Sequence, residues 1–252
     1  MLTFAHDDSE QRLAAYWDEY VDAGRRGPRH VLVNARQSWR AWTAIRRLPV
    51  LEASPSDSAG GRAVRSVLGT RASYCVPGRL LGTAVLEVPP VPADYLAGRR
   101  AQTLRRKIRA AQRRGLAVRR VADRAERRAL LDLANDAEQK HADPAYRVLT
   151  PDNADLLQHD VWLVVESAEG APLLLSVTPH DGDFAILRYF RTLGSGAAHT
   201  DARYLASSAL VAELAERGVR YLIDTATPPE QTNGLRHFQR MVGFRYARVR
   251  LR

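Results

Sequence analysis

The sequence predicts an α/β chain of the α+β kind, a mixed and mostly antiparallel twisted sheet flanked by helices. Three observations carry that expectation. From Leu116 onward, strand and amphipathic helix patterns follow in the order β-α-α-β-β-β-α-β-α-β. Three of the strands, VWLVVES (Val161–Ser167), APLLLSVTP (Ala171–Pro179) and FAILRYFRTL (Phe184–Leu193), are joined by the short links AEG and HDGD, as successive hairpins are. Before position 98, helical and strand patterns are mixed as well.

Taken in order, Ser9–Ala23 places Leu13, Trp17 and Tyr20 at spacings of three to four, a helical stripe. HVLVNA (30–35), LPVLEA (48–53) and LLGTAVLEV (80–88) read as short strands, and SPSDSAGGR (54–62) as a loop. The proline-rich joint VPPVPADYLAG (88–98) divides an N-terminal α+β region, residues 1–97, from a domain of residues 98–252. That domain opens with a basic helix, Ala101–Arg114, stopped by Gly115, and a strand over Leu116–Val121. Asp123 caps a helix that runs to about His141. TPDNADLLQ predicts another, with Thr150 as N-cap and Pro151 at the first helical position. After the three hairpin strands come a helix over Ala202–Gly218, a strand over Arg220–Ala226, a short helix TNGLRHFQRMVG and a last strand FRYARVRL.

Composition narrows the partners. Hydrophobic residues at 45% supply a core, and 26% charged residues suit a soluble globular chain. No apolar run approaches the ~18–20 residues a membrane span needs. MLTFAHDDSEQRL lacks the basic-then-apolar order of a secretory signal, so a cytoplasmic location is expected. The single cysteine, Cys75, rules out an internal disulfide, and seven scattered histidines show no metal-ligand spacing, so no metal is expected. The net charge of +10 points to an anionic partner, and it is concentrated. Gly98–Arg120 holds ten Lys or Arg residues and no acid. With Ala101, Leu104, Ile108 and Ala111 packed down, Arg105, Arg106, Arg109, Arg113 and Arg114 spread over the remaining arc, with Lys107 among them. Such density favours an RNA backbone across them. A face that is merely solvated, or paired with acids elsewhere in the chain, is the alternative. The apolar stripe has no aromatic residue, which argues against membrane anchoring by this helix.

The element order, with the ending AERGVRYLIDTA…GLRHFQRMVGFRYARV, resembles the GNAT (Gcn5-related N-acyltransferase) fold. In that family the last helix carries a phenylalanine and ends in Gly-Phe before the final strand; here these are Phe238, Gly243 and Phe244. The segment RRKIRAAQRRG (Arg105–Gly115) is similar to the R-x-I-R-x-A-x-x-x-G segment of the Fem-like peptidyltransferases. Residues 1–97 are then either an extension or a partial second GNAT-like half. The resemblance implies a donor that is aminoacyl-tRNA, with no separate cofactor, and an amide bond formed on a small-molecule or peptide amine.

The alternative is an acyl-CoA donor. Acyl-CoA-dependent GNAT members carry R/Q-x-x-G-x-G/A before a helix, and RTLGSG supplies Arg191, Gly194 and Gly196. Five residues, 197–201, separate that motif from the helix start read at Ala202. The resemblance places the reaction centre between Arg188–Leu193 and Leu222–Ala226. Asp224 is there as a base or amine ligand, with a turn or cap role as the alternative. Tyr204 is a candidate acid or adenosine contact, or core. Arg203 is a phosphate ligand, Glu166 the alternative base, and Arg188, Thr225, Thr227 and Asn233 substrate-binding groups.

Overall fold

The computed structural model describes residues 8–22, 32–73, 76–141, 143–144 and 147–252. Helix α1 (Asp8–Asp22) and helix α2 (Ala35–Arg47) pack as a pair through Leu13, Trp17, Ala41, Ala44 and Ile45. Strand β1 (Val50–Ala53) and helix α3 (Ala59–Gly69) follow, then β2 (Arg71–Ser73), β3 (Val76–Pro77) and β4 (Thr83–Glu87). The basic helix is α4 (Gln102–Arg113), and β5 (Ala117–Arg120) leads into α5 (Arg124–Gln139). Asp123 caps α5, its carboxylate accepting from the Glu126 N–H at 2.8 Å. Strands β6 (Trp162–Glu166), β7 (Pro172–Val177), β8 (His180–Asp181), β9 (Phe184–Leu187) and β10 (Tyr189–Thr192) precede α6 (Ala197–Glu216), β11 (Tyr221–Asp224), α7 (Asn233–Val242) and β12 (Arg245–Leu251).

The strands form two principal sheets. One runs β1-β12-β4-β11-β9-β8, with β11 parallel to β9 and β1 parallel to β12; the other is antiparallel, β10-β7-β6-β5. Helices α4, α6 and α7 cover one face of both sheets through a shared core of Leu86, Leu104, Ile108, Leu163, Leu174, Leu210 and Phe238. Helix α3 covers the opposite face of the first sheet and α5 that of the second. Strand β4 pairs with β11 on one edge and β12 on the other, so residues before position 98 complete a sheet built by residues after it.

Four local expectations change. HVLVNA is not a strand where it is described: residues 32–33 are helical and Ala35 opens α2, whose Ala41, Ala44 and Ile45 face α1 at helical spacing. The loop over 54–62 ends at Ser58, whose hydroxyl accepts from the Gly61 N–H at 2.9 Å and caps α3. The glycines that suggested a loop are there for space. A Cβ on Gly60 would lie 2.0 Å from the His180 carbonyl oxygen, and one on Gly61 would lie 2.1 Å from the Ser56 carbonyl oxygen. Thr150 and Pro151 start no helix; a 3-10 turn spans Ala154–Gln158 instead, while Arg188 binds Asp155 and the Asp152 carbonyl. Finally, the predicted strand Phe184–Leu193 is split. Arg188 donates its N–H back to the Ile186 carbonyl at 2.8 Å, and the chain steps there from one sheet to the other.

Gly60→Ala is expected to invert the usual helix preference. Alanine ordinarily stabilises a helix interior by roughly 0.5–1 kcal/mol over glycine. Here the overpacked backbone should cost about 1–3 kcal/mol, read as a lowered urea midpoint at unchanged m-value.

Candidate functional site

The centre expected between β9–β10 and β11 is closed. Leu187, Phe190, Leu222, Phe238 and Phe244 converge where the strands part, and the void among them is about 10 Å³. Phe238 also stacks near Phe190, with centroids 6.1 Å apart, and near Tyr204 at 5.5 Å. The phenylalanines of β10 and α7, with Phe244, thus fill the gap.

The open space lies on the other side of α7. A cleft of about 550 Å³ is bounded by α1, the N-terminal end of α4, α7 and the start of β12. Its walls are mixed: Leu86, Leu104, Met241 and Phe244 supply apolar surface, and Arg100, Arg240 and Glu87 lie among its polar groups. That combination of size and lining is ordinary for a small-molecule site. Gln239 forms part of the cleft and donates from Nε2 to Asp224 Oδ2 at 2.7 Å. Asp224 is buried, and its other oxygen accepts from the Ala226 N–H at 2.8 Å. Burial pushes the Asp224 carboxyl up from its ordinary value, against the pull of those two donors and of Arg79. Asp224 therefore reaches the cleft only through Gln239.

The loop after β11 is fixed from below. Arg79, buried, donates to the carbonyls of Asp224 (3.3 Å) and Thr225 (2.5 Å) and to Thr83 Oγ1 (3.1 Å). The Thr225 hydroxyl points at the Leu187 carbonyl, 3.5 Å away. Thr227 donates from both N–H and hydroxyl to Glu230, a capping box. Asn233 accepts from Arg236, which is itself buried and paired with Asp18 of α1 at 2.7 Å. The Thr227 and Asn233 side chains thus hold the loop. Arg188 is engaged bidentately by Asp155. Glu166 stands apart in the second sheet, bound to Arg119 of β5.

The basic helix divides by face. Arg105 turns back, donating to the Leu96 and Gly98 carbonyls, so it holds the turn before α4 and does not project as expected. Arg114 pairs with buried Asp201 at 3.0 Å, and Lys107 lies 5.6 Å over the Tyr204 ring. Both contacts dock α4 on α6. Arg106, Arg109 and Arg113 are exposed and have no ion pair among the described residues. At 100° per residue they fall within an arc of roughly 60°. Tyr204 is buried in the core, and Arg203 stacks 4.9 Å over Phe238 with its Nε buried and unpaired.

The RTLGSG segment sits differently from the sequence reading. Helix α6 begins at Ala197, with Gly196 as its N-cap at φ 112°, so no gap separates motif and helix. Low-pattern residues Ala-Ala-His-Thr hid that first turn. The His199 ring packs on Gly194, where a Cβ would come within 2.6 Å of Nε2, and Arg191 pairs with buried Glu138 at 3.5 Å. Among the described residues, no cluster of His, Cys, Asp and Glu is placed to hold a metal ion, and no helix is long and apolar enough to cross a membrane.

Sequence reasoning missed Arg79, Gln239 and Arg236. For the last two a signal existed: Arg236, Gln239 and Val242 recur at i, i+3, i+6 of α7, which puts two polar residues on its inward stripe. Arg79 carries no comparable mark.

No family model matches the sequence, and no curated protein matches it. Among solved structures the chain is similar to FemX, with a TM-score of 0.51 and 13% identity over 71% of this chain and 62% of that one. It is also similar to L-PGS from Bacillus licheniformis, with a TM-score of 0.46 and 15% identity over 66% of this chain and 57% of that one. The chain spans about three fifths of the length of each. The likeness to FemX bears out the expected fold: a GNAT-like mixed sheet flanked by helices, with a Fem-like relative.

The raised carboxyl of Asp224 carries a pH signature. A group that binds its proton more tightly when folded lowers stability as pH rises from its unfolded value toward its folded one. Asp224→Asn removes that titration. The stability difference between variant and parent should therefore move in the variant's favour between pH 4.5 and 7.5, measured by urea unfolding at each pH; a difference that stays constant would show that the carboxyl is not raised.

Proposed function

We propose that this chain is an aminoacyl-tRNA-dependent transferase that joins an amino acid carried on tRNA to an amine acceptor, a small molecule or peptide, through an amide bond. The observation that carries the reading is the ridge of Arg106, Arg109 and Arg113, three exposed cations without acidic partners on a helix docked against a Fem-like fold. Like charges that close repel, and phosphates laid across them would relieve the repulsion. The Fem-like resemblance supplies the donor class, whose acyl group comes from aminoacyl-tRNA.

In this reaction the acceptor nitrogen attacks the ester carbonyl of the donor. The C–N bond forms, the ester C–O bond breaks, and the amine proton ends on the departing ribose oxygen. The cleft is assigned to the acceptor. Gln239 orients it, with Asp224 as the positioning residue behind that amide, and the pinned loop through Thr225, Thr227 and Asn233 keeps α7 in place. Arg203 and Lys107, over Phe238 and Tyr204, offer positive charge near the first turns of α6 for the donor's end.

A second reading has one observation in its favour. With Gly196 capping α6, RTLGSG meets a helix N-terminus directly, the position in which a CoA pyrophosphate would be held. Against it, Arg191 is engaged by Glu138 and the His199 ring packs on Gly194. Calorimetric titration with CoA separates the two: the tRNA reading expects no binding at millimolar CoA.

For the leading reading, Arg106→Glu with Arg109→Glu and Arg113→Glu should leave the unfolding midpoint unchanged. The triple variant should lower the log–log salt slope of tRNA binding by about 2–3, as loss of three phosphate contacts requires, and cut tRNA-dependent turnover by about 100-fold. Arg105 is left intact because it holds the turn. Amide product from acetyl-CoA without tRNA, or full activity in the triple variant, would overturn the proposal.

A further inference from the structure

The outer face of α2 is out of keeping with a surface exposed only to water. Trp39 is 67% exposed and Trp42 45% exposed, and just before the helix Leu32 and Val33 are 77% and 75% exposed. Isolated surface hydrophobics need no explanation, but two tryptophans and two aliphatic residues on one short segment do. The same segment carries Arg36, Arg40, Arg46 and Arg47, all exposed and without ion pairs among the described residues. No Asp or Glu occurs from Leu32 to Leu51.

The inward side of α2 is already satisfied. Ala41, Ala44 and Ile45 pack on Leu13 and Trp17 of α1. Taking Ala44 as the centre of that side, Trp39, Trp42 and Arg46 point the opposite way at 100° per residue, with Arg36 on the flank. The helix is therefore amphipathic twice over: a small-residue seam toward the protein, and a tryptophan–arginine face away from it.

We propose that this face is a docking surface for an anionic lipid bilayer, with Trp39 and Trp42 set at the level of the headgroups and Arg46 and the flanking Arg36 against lipid phosphates. Tryptophan seeks the interface between hydrocarbon and water, and cationic residues beside it add attraction to an anionic leaflet. Charge complementarity decides among occupants. A second copy meeting the same face would bring arginines against arginines with no acid to answer them. RNA would suit the arginines and could stack on the indoles, but it gives no gain to Leu32 and Val33, whose aliphatic side chains favour hydrocarbon. The ridge of α4 is the counter-example in the same molecule: three exposed arginines with no exposed aromatic beside them. This proposal does not depend on the transferase reading.

The test uses the whole chain and vesicles of phosphatidylcholine, with and without phosphatidylglycerol. The protein should sediment with the phosphatidylglycerol vesicles and not with phosphatidylcholine alone. Lipids brominated on their chains should quench its fluorescence, a signal from Trp39 and Trp42 because Trp17 and Trp162 are buried. Trp39→Ser with Trp42→Ser should weaken binding by about tenfold or more at unchanged thermal midpoint, since neither side chain is in the core. Arg106→Glu with Arg109→Glu and Arg113→Glu should still bind through α2. The proposal fails if the parent ignores anionic vesicles or if the double tryptophan variant binds as well as the parent. It also fails if that variant instead loses RNA affinity or splits a dimer while vesicle binding persists.

Discussion

The buried guanidinium of Arg79 is the contact on which the geometry around the site depends. It lies behind the end of β11, reaching the carbonyls of Asp224 and Thr225 with two nitrogens, Val67 with Nε and the Thr83 hydroxyl with a fourth donor–acceptor pair. Those partners come from α3, β4 and β11, so one side chain fastens a helix and two strands at the point where β11 and β9 part. Burying a charge is costly unless its donors are answered, and hydrogen bonds to a charged group contribute about 1.5–3 kcal/mol each. Here the answering groups are mostly carbonyl dipoles, which leaves the nearby Asp224 carboxylate to Ala226 and Gln239. The chain of contacts runs from Arg79 through the β11 terminus to Asp224, then to Gln239 and the cleft.

That arrangement explains why the opening is displaced. Where β9 bends at Arg188, a gap between strands would ordinarily be available to substrate, but Phe190 and Phe238 close it. The remaining concavity is bounded by β4, whose Leu86 faces it, and by α1, tied to α7 through Asp18 and Arg236. Residues before position 98 are therefore structural partners of the cleft.

How much of this was legible follows from where each element's information lies. The basic helix, its glycine stop, the Asp123 cap and the Gly243 terminus were readable because the signal is local: a stripe, a capping side chain, a left-handed glycine. The start of α6 was not, because Ala197–Thr200 carry no apolar period, and the start of α3 was masked by glycines that are there to let backbone approach backbone. The single strand read over Phe184–Leu193 looked continuous because alternation does not register which sheet a residue joins. At the site, Asp224 could be named from its place at a strand end. Its dependence on Gln239, fifteen residues on, could not, since no local rule pairs them. The inward turn of Arg105 is illegible for the same reason: its carbonyl partners belong to a turn whose path the sequence does not state.

The distribution of positive charge completes the argument. Within the basic run, Arg105, Arg114, Arg119 and Arg120 are engaged by carbonyls or acids, which leaves Arg106, Arg109 and Arg113 as the unanswered cations along one face of α4. Net charge alone would assign one polyanion to the whole molecule. The neighbours of the unanswered cations say otherwise, because an arginine among polar residues and an arginine beside two exposed indoles meet different solvents. On α4 the cations stand without apolar company, as suits a hydrated phosphate backbone; on α2 they border tryptophan, as suits a surface where phosphate and hydrocarbon meet. Two helices of like charge thus present two chemically distinct faces, and it is the uncharged residues between the arginines that tell them apart.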